Sequence, residues 1–454
     1  MQTYSKKINI LDDLDITINI DENKYNLPLE DVFSMAARKN PKRAFLFVSK
    51  LLGKHYPIHP SVGILTGTLL ANELTPCKYL SDVIDNIALG VMDKLSLDKT
   101  KTLIEYLEVE KLKLDKSTLF IGFAETATGL GHSVFSNFKK KADSYFEKDS
   151  YYIHTTREEI KDLKSAFEFE EEHSHATTHL CYPNNKDIFQ KVERIVLVDD
   201  EISTGKTNLN LIRSLNKVYP IKEFVCMSIL DWRNEEQIHA YKLLEEELNI
   251  KIRVISLIKG TLSCNNKIID TKKQEDKNIL ENNDFKFFEC EVPCNSVSKY
   301  KLSNLNNNKE NFLNATGRFG VSSANNDFEI QDIVDRVQRL NLSIGSQTLV
   351  MGLGEFIFIP MQIAFNLNPY CKFSSPSLSP IHIDNKNNYP LNNVDIINCP
   401  YGINKDYHIY NLNNKDYNQV VLFLERKPSE SFVEQLKTIV KNRKIKYLSL
   451  VYFK

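Results

Sequence analysis

The chain has 454 residues and a formal net charge of −1, with 42% hydrophobic and 26% charged residues. This balance is typical of a soluble globular protein of two domains, and it argues against a long nucleic-acid-binding track or a face for anionic membranes. No apolar run is long enough to span a bilayer, no export signal is visible, and the eight cysteines lack zinc-site spacing, so we predict a cytoplasmic protein with reduced thiols.

The first predicted segment, residues 1–115, is expected to be mainly helical after a short strand-rich start. Apolar residues recur there at helical spacing through residues 44–52, 80–95 and 102–112. Lys54 and His55 follow the first of these runs, so we place them at the end of a helix.

From residue 119 the pattern changes to short β-rich runs separated by helical segments. The predicted strands are residues 119–122, 151–154, 195–198, 224–230 and 252–257, and the predicted helices are 133–141, 208–217 and 235–248. Such alternation predicts an α/β domain over residues 1–263, with a mostly parallel sheet and helices on both faces. Residues 264–310 are rich in Asn, Lys and Ser and are predicted to be a linker, before a second α/β domain over 311–454.

The strongest chemical signal is the run IVLVDDEISTGKT at residues 195–207. An apolar strand ends in Asp199 and Asp200, and a turn of small and hydroxyl residues then opens a helix at Asn208. Backbone N–H groups of such a turn, together with the helix N-terminus, form an anion site of phosphate size. The paired carboxylates suit vicinal ribose hydroxyls or a hydrated divalent ion. The turn residues are Ser203, Thr204, Gly205, Lys206 and Thr207.

Three other interpretations of this run are weaker. A Walker A loop needs a glycine where Asp200 stands. A two-component receiver needs later strand-end residues, and Asp231 and Lys259 arrive too soon for it. The third alternative is an ordinary strand-turn-helix with a solvated acidic end.

Other candidate residues carry their own alternatives. Arg157 is a candidate phosphate clamp, because a guanidinium binds phosphate oxygens two at a time. The alternative is that it forms an ordinary ion pair at the surface. The histidines His173, His175 and His179 suggest a polar lid, a metal site or a solvated loop. Trp232, the only tryptophan, is either an aromatic for stacking on a base or a core residue.

The chain resembles type I phosphoribosyltransferases of the branch that carries a C-terminal TRSP domain and is associated with tellurite-resistance (Ter) gene clusters. The resemblance covers most of the chain, and it departs at Ser377-Leu378-Ser379-Pro380, where Thr-Arg-Ser-Pro is expected. The matching stretches are PKRAFLFVSKLLGKHYP (41–57), GFAETATGLGHSVF (122–135), IHTTRE (153–158), EEHSHATTH (171–179), the run at 195–207, ILDWRN (229–234), GRFG (317–320) and GLGEFIFIP (352–360).

The resemblance implies a site for phosphoribosyl pyrophosphate, Mg²⁺ and a base-like acceptor. Asp199 and Asp200 would hold the ribose hydroxyls and, through water, the metal. Residues 203–207 would bind the 5-phosphate, and Arg157 would clamp the pyrophosphate. A second loop would also hold the pyrophosphate, and Trp232, Lys54 and His55 would form the acceptor pocket. The residues of that second loop are Glu125, Thr126, Ala127, Thr128 and Gly129.

The resemblance further implies synthesis or turnover of a specialised nucleotide-like metabolite. Ser203 stands where hypoxanthine–guanine transferases have an aspartate, which argues against 6-oxopurine salvage. The rival hypothesis is a non-catalytic regulator that binds the donor or a nucleotide on the same fold. Neither nucleic acid nor membrane is expected as a partner, and a homodimer is one option for the assembly.

The C-terminal domain repeats the order of motifs in the first one. LFIGFAETA (119–127) parallels LVMGLGEFI (349–357), IVLVDD (195–200) parallels VLFLER (421–426), and IKEFVCMSIL (221–230) parallels IKYLSLVYF (445–453). After Glu425 there is no glycine or hydroxyl cradle. We hypothesise a degenerate second copy, Rossmann-like in fold, that has lost its phosphate loop. Chance similarity of two α/β units is the alternative.

Overall fold

The structure is a computed structural model. It describes residues 4–11, 14–38, 43–109, 111–138, 149–170, 178–264, 284–303, 309–386, 388–401, 405–413 and 415–454. The predicted lid histidines His173 and His175 lie outside these residues.

The N-terminal unit contains twelve strands and nine helices in its described part. They are β1 (Tyr4–Ile10), β2 (Leu14–Asn23), α1 (Leu29–Val32), β3 (Phe33–Ala37), β4 (Phe45–Ser49), α2 (Pro60–Leu74), α3 (Lys78–Ser81), α4 (Ile84–Val91), α5 (Leu97–Val109), β5 (Thr118–Gly122), α6 (Ala127–Phe135), β6 (Ser150–His154), β7 (Phe167–Glu170), β8 (Thr178–Cys181), α7 (Ile188–Lys191), β9 (Arg194–Val198), β10 (Glu201–Ile202), α8 (Lys206–Val218), β11 (Glu223–Asp231), α9 (Glu235–Leu248) and β12 (Lys251–Cys264).

The C-terminal unit follows with its own strands and helices. They are β13 (Lys286–Val292), β14 (Val297–Lys301), β15 (Lys309–Leu313), a 3-10 helix (Asn314–Thr316), β16 (Val321–Ser322), α10 (Ser323–Gln338), β17 (Thr348–Gly352), α11 (Phe358–Leu367), β18 (Lys372–Ser374), β19 (Val394–Asn398), β20 (Asp406–Tyr410), β21 (Gln419–Leu424), α12 (Glu430–Asn442) and β22 (Tyr447–Phe453).

The central sheet of the N-terminal unit is mostly parallel, as predicted. Its strands lie in the order β1-β2-β12-β11-β9-β5-β6-β16, and the five from β12 to β6 run parallel. Strands buried on both faces read as continuous apolar runs, and every residue of β5, β9 and β11 is buried. Helices cover both faces, so the predicted fold class is confirmed.

The second sheet repeats this arrangement. Its order is β13-β22-β21-β17-β18, with all four pairings parallel. Taken from the other end, β18-β17-β21-β22-β13 matches β6-β5-β9-β11-β12. The fifth strand comes at a different point of the chain in each sheet. Strand β12 follows its neighbour β11, whereas β13 comes before the other strands of the second sheet. The like topology supports the hypothesis of a doubled chain.

The ladder register corrects one of the sequence alignments by a single residue. Gly122 pairs with Val198, whereas its counterpart Gly352 pairs with Phe423. Counting onward from these pairs, Glu425 corresponds to Asp200, whereas the sequence pattern aligned it with Asp199.

Three other predictions about elements are wrong. Residues 44–52 are not a helix, because β4 pairs with β3 in an antiparallel hairpin. Helix α6 begins at Ala127 and ends at Phe135, so it lies earlier than the predicted 133–141. Part of the predicted linker is regular, since β13 joins the second sheet and β14 pairs with β15. The domain boundaries themselves stay a prediction.

The two units also share a sheet edge. Strand β16, which belongs to the C-terminal unit, pairs antiparallel with β6 through Val321 and Ser322. Among the described residues, no helix has both the length and the apolar character needed to cross a bilayer.

Candidate functional site

The carboxyl ends of β5, β6 and β9 surround a cavity of about 200 Å³, which we call the first cavity. Loops at the carboxyl ends of parallel strands are where open α/β sheets bind ligands. Eight of the residues predicted for the site line this cavity, and they come from separate parts of the chain. They are Lys54, His55, Glu125, Thr126, Arg157, Asp199, Asp200 and Ser203.

The paired acids Asp199 and Asp200 lie at the end of β9 and are half-buried. The Asp200 backbone N–H donates to Asp199 Oδ1 at 3.0 Å, and the Asp200 carbonyl accepts from Ile229 and Leu230 of β11. The backbone on this side of the cavity is therefore fixed to a central strand, while the two carboxylates border open space.

The predicted phosphate loop turns sharply at Gly205. This glycine has φ +76°, and a Cβ there would come within 2.4 Å of Tyr241 Oη. Only glycine fits both the left-handed backbone and the close approach. Helix α8 begins at the next residue; Gly205 gives it no side-chain cap, and the Lys206 N–H donates to Thr204 Oγ1 at 3.4 Å. The N-terminus of α8 therefore opens directly from the predicted phosphate turn.

Of the five residues predicted for the phosphate loop, only Ser203 lines the first cavity as the structure describes it. Thr204 and Thr207 are half-buried, and Lys206 is exposed. The loop therefore borders the cavity at one end and faces outward at the helix start.

The second predicted loop is divided between the cavity and the C-terminal unit. Glu125 and Thr126 line the cavity. Thr128 instead donates its hydroxyl to the carbonyls of Glu125 and Glu355, at 2.9 and 3.1 Å. Ala127 and Gly129 are buried, and a Cβ on Gly129 would meet Ile357 at 2.6 Å. Residues 127–129 thus contribute packing rather than lining.

Lys54 and Glu125 form a buried ion pair in the wall of the first cavity. Their Nζ and Oε1 atoms lie 2.8 Å apart, and Lys54 is 2% exposed. Lys54 Nζ also donates to the Pro376 carbonyl at 3.0 Å. Burial lowers the pKa of Lys54, and the Glu125 carboxylate opposes that shift. Lys54 follows strand β4 rather than ending a helix, so that prediction is wrong.

His55 is held by the loop that departs from the TRSP motif. Its Nε2 lies 3.0 Å from Ser377 Oγ, and Ser377, Leu378 and Ser379 all line the first cavity. Burial lowers the pKa of His55 to about 3. The loop thus reaches the site without the expected arginine.

Arg157 lies where the two units meet. Its backbone N–H donates to Glu355 Oε1 at 2.8 Å, and its Nη2 donates to the Ala124 carbonyl at 3.3 Å. Thr156 Oγ1 donates to Glu355 Oε2 at 2.7 Å. A carboxylate from the C-terminal unit therefore fixes the backbone that carries Arg157.

Trp232 does not line the first cavity in the described structure; it is 4% exposed and lies in the core. Its ring stacks on Phe47 with centroids 5.3 Å apart and meets Phe33 edge-on. Phe47, from strand β4, is the aromatic that lines the cavity. Trp232 lies behind it, as its support.

The sequence patterns missed a further pair in the lining. Arg43 and Glu201 bind through two hydrogen bonds of 3.2 and 2.7 Å, and the Arg43 guanidinium lies over the Phe45 ring at 4.5 Å. Both residues fall within the stretches that carried the family resemblance, but their partnership spans 158 positions. Sequence spacing gives no signal for such a contact.

The segment predicted as a lid forms an antiparallel hairpin of β7 and β8 as far as it is described. His179 is buried there, stacks on Phe169 at 4.6 Å and lies 2.9 Å from Thr155 Oγ1. No group of three or more metal-binding side chains occurs among the described residues. The described histidine is thus a core residue of the hairpin.

A second, smaller cavity of about 40 Å³ adjoins the first one and lies at the carboxyl ends of β17 and β21. It is lined by buried charges that pair within the C-terminal unit and, through Glu158, with the N-terminal unit. Arg318 contacts Glu355 at 2.6 Å and Glu425 at 3.0 Å. Arg426 contacts Glu158 at 2.7 Å. Burial raises the pKa of the Glu355 carboxyl, but Arg318, His154 and the hydrogen bonds from Arg157 and Thr156 together outweigh it and lower that pKa to about 2.

A larger cleft lies elsewhere. It measures about 850 Å³ and is lined by side chains such as Asp31, Tyr56 and Tyr417. The described site residues line the first cavity and not this cleft, so size alone does not mark the site.

Two family models match the chain. Residues 32–261, just over half of it, match "Phosphoribosyl transferase", and residues 315–441 match "TRSP domain C terminus to PRTase_2". No curated protein matches. Strands β1 and β2 lie before the first matched region and extend its sheet.

Several solved structures are similar to part of the chain. They include APRTase from Giardia lamblia complexed with 9-deazaadenine (16% identity, 40% of this chain and 84% of that chain, TM-score 0.21). Adenine phosphoribosyl transferase from Trypanosoma brucei is 13% identical, with 42% of this chain and 79% of that chain covered and a TM-score of 0.23. Orotate phosphoribosyltransferase from Aeropyrum pernix is 17% identical, with 35% of this chain and 71% of that chain covered and a TM-score of 0.18.

Proposed function

The chain belongs to the phosphoribosyl transferase family and carries the TRSP domain that follows it, and we propose that it transfers a phosphoribosyl group between phosphoribosyl pyrophosphate and a base-like acceptor at the first cavity. One observation carries this proposal. Asp199, Asp200 and Ser203 of one loop face the same cavity as Glu125, Thr126 and Arg157 of two others. A phosphorylated sugar and its leaving group need such a set around one space.

The proposed roles follow from the charges that develop during transfer. As the bond from ribose C1 to the pyrophosphate oxygen breaks, positive charge forms on the sugar and negative charge on the leaving group. Asp199 and Asp200 hold the ribose hydroxyls and favour the cationic sugar. Arg157 and the backbone N–H groups of the loop at Glu125 and Thr126 favour the departing pyrophosphate. Catalysis of this kind is electrostatic, and it asks for no covalent bond to the protein.

The carboxylates also fit a magnesium ion. Mg²⁺ keeps several waters and binds through one or two carboxylates and the phosphates of its substrate, and Asp199 and Asp200 offer half-buried oxygens beside the cavity. When bound there, the metal would neutralise charge on the pyrophosphate.

The acceptor pocket is proposed to be formed by Phe47 and the Lys54–His55 segment. Phe47 offers the ring of an aromatic to a flat base, and Trp232 stacks behind it. His55 is held neutral and fixed by Ser377, so it shapes the pocket rather than moving a proton. The product of the proposed reaction is a specialised nucleotide-like metabolite.

The test is turnover by the full-length protein with phosphoribosyl pyrophosphate, Mg²⁺ and a panel of bases, followed by pyrophosphate release. The double variant Asp199→Asn with Asp200→Asn should lose donor affinity and turnover by at least about a hundredfold, because it removes two charges that act on the sugar. Asp82→Asn with Asp85→Asn, which removes two exposed carboxylates, is the matched control.

Two results would contradict the proposal. Unchanged donor affinity in the Asp199/Asp200 variant would show that these residues do not form the donor site. Tight donor binding without turnover for any acceptor, in either direction, would favour a regulator that binds the donor without catalysis.

A further inference from the structure

The two cavities adjoin each other where the units meet. Glu125, Arg157 and Leu378 line both of them. A substrate bound in the first cavity can therefore extend a group past Arg157 into the second one.

Arg426 is the fixed centre of the second cavity. Its guanidinium lies 4.0 Å from the centroid of the Tyr401 ring and 4.5 Å from that of Phe312. Nη2 is bound to Glu158, and the side chain is 2% exposed. Stacking on two rings holds the planar group in place without using its N–H donors.

Donors outnumber acceptors in this cavity. Arg426 Nε and Nη1 and Arg318 Nε are buried without a hydrogen-bond partner among the described residues, against two such oxygens in the lining, Glu125 Oε1 and Glu158 Oε2. Both oxygens lie near a cation, 2.8 Å from Lys54 and 3.5 Å from Arg318. Buried N–H groups of a charged side chain are costly to leave unpaired.

The four carboxylates of the second cavity are already engaged by cations. Glu355 and Glu425 are bound by Arg318, and Glu158 is bound by Arg426. Glu125 is bound by Lys54. What the cavity still offers to a ligand is therefore mainly N–H donors, with Lys405 as a further cation in its lining.

We propose that the second cavity is a subsite for a small oxyanion group carried by a substrate that is bound in the first cavity. A volume of about 40 Å³ accommodates a group of carboxylate size and not a second ring. The group is either a carboxylate on the acceptor or the far phosphate of the donor's pyrophosphate. This inference rests on the proposed function, since it needs a substrate in the first cavity.

The experiment measures equilibrium binding to the full-length protein of three probes: phosphoribosyl pyrophosphate, inorganic pyrophosphate, and matched rings with and without a carboxylate. Orotate against uracil and nicotinate against nicotinamide are suitable pairs. The variants are Arg426→Gln and Lys405→Gln, with Lys427→Gln as the control, because Lys427 is exposed beside Arg426 and lies outside the cavity lining.

Arg426→Gln should weaken the bound oxyanion about tenfold to a hundredfold, the loss expected for hydrogen bonds to a charged group. Arg426→Lys keeps the charge with a different geometry, so it should recover part of that loss. Lys405 is half-buried, so Lys405→Gln tests the same cavity if Arg426→Gln fails to fold.

The arms separate the two sources. Weaker binding of pyrophosphate and the donor, with the ring pairs unaffected, assigns the subsite to the donor. Loss of the preference for the carboxylated ring, with donor affinity retained, assigns it to the acceptor. If folded variants at Arg426 and Lys405 leave every probe unchanged while the wild type binds the donor, the subsite is overturned. If the wild type does not bind the donor, the proposed function fails instead.

Discussion

Corresponding strand ends have different surroundings in the two α/β units. In the N-terminal unit the ends of β5 and β9 border an open cavity of about 200 Å³, with carboxylates and a glycine-containing turn. In the C-terminal unit the ends of β17 and β21 are closed by buried ion pairs around about 40 Å³. The strand order therefore fixes where a site can form, and the residues that follow the strands decide whether it stays open.

The difference can be followed residue by residue. By the ladder register, Glu425 corresponds to Asp200 and Arg426 corresponds to Glu201. The charge at the second position is opposite in the two units, and the C-terminal unit has no counterpart of the hydroxyl-rich turn, so its strand ends carry an internal salt-bridge network. That network holds the neighbouring unit through Glu158 and Thr156.

The comparison predicts its largest effect for Arg318→Ala. Removing one partner of a buried ion pair leaves uncompensated charge, and Arg318 serves Glu355 and Glu425 together, so we expect a loss of about 3–5 kcal/mol in the free energy of unfolding. Urea denaturation measures it, with the exposed Arg339→Ala as control. The Asp199→Asn, Asp200→Asn variant should unfold within about 1 kcal/mol of wild type, because its carboxylates are half-buried. Equal losses in both would erase the distinction between the units.

Glu355→Gln should impair the first site from the second unit. The carboxylate fixes the Arg157 backbone and Thr156, so its neutralisation should lower kcat/KM for the donor by about tenfold to a hundredfold. Steady-state kinetics with varied donor concentration measure this, and Glu355→Asp should restore part of it. A variant that loses stability but keeps kcat/KM would show that Glu355 joins the units without positioning Arg157.

Gly205→Ala and Gly354→Ala compare one glycine turn from each unit: Gly205 follows the end of β9, and Gly354 follows β17, the counterpart of β5. Both glycines have positive φ, +76° and +65°, so each alanine should cost about 1–2 kcal/mol of stability. Only Gly205→Ala should also weaken donor binding, since Gly205 precedes α8. Thermal unfolding and donor titration test this, with Gly345→Ala as control because a Cβ there meets nothing within 4 Å. Weakened donor binding by both variants would contradict it.

His55→Gln should give the smallest effect on the pH profile. The folded-state pKa of His55 is about 3, below its ordinary 6.5, so the imidazole is neutral throughout the working range. Its contribution to folding stability is present above pH 6.5 and is lost as the pH falls toward 3. Profiles of kcat from pH 5.5 to 8.5, a range chosen to bracket the ordinary histidine pKa, should have the same shape for wild type and variant. A limb that disappears in the variant would show that His55 titrates.

Sequence patterns predicted the elements around the candidate site well, because these rest on local signals. The run at 195–207 combines a buried strand, two acids and a turn, and α8 and β9 appear where that pattern predicts them. The repeated order of motifs also predicted the doubled topology, although the alignment at β21 was off by one residue.

Contacts between distant segments were not predictable in this way. The short apolar run in β4 also fits a helical spacing, and only its pairing with β3 makes it a strand. That hairpin places Phe47 in the cavity and leaves Trp232 in the core. The contact of Glu355 with Arg157 spans 198 positions, so no local pattern could reveal it.

The antiparallel pairing of β16 with β6 has a consequence for dividing the chain. If residues 1–263 were produced alone, β6 would lose its neighbour and present unpaired backbone N–H and C=O groups at the rim of a strongly apolar sheet. Exposed edges of this kind recruit further strands and lead to aggregation. We therefore expect the C-terminal unit to limit self-association of the N-terminal unit. This effect on solubility is separate from any part that the C-terminal unit has in catalysis.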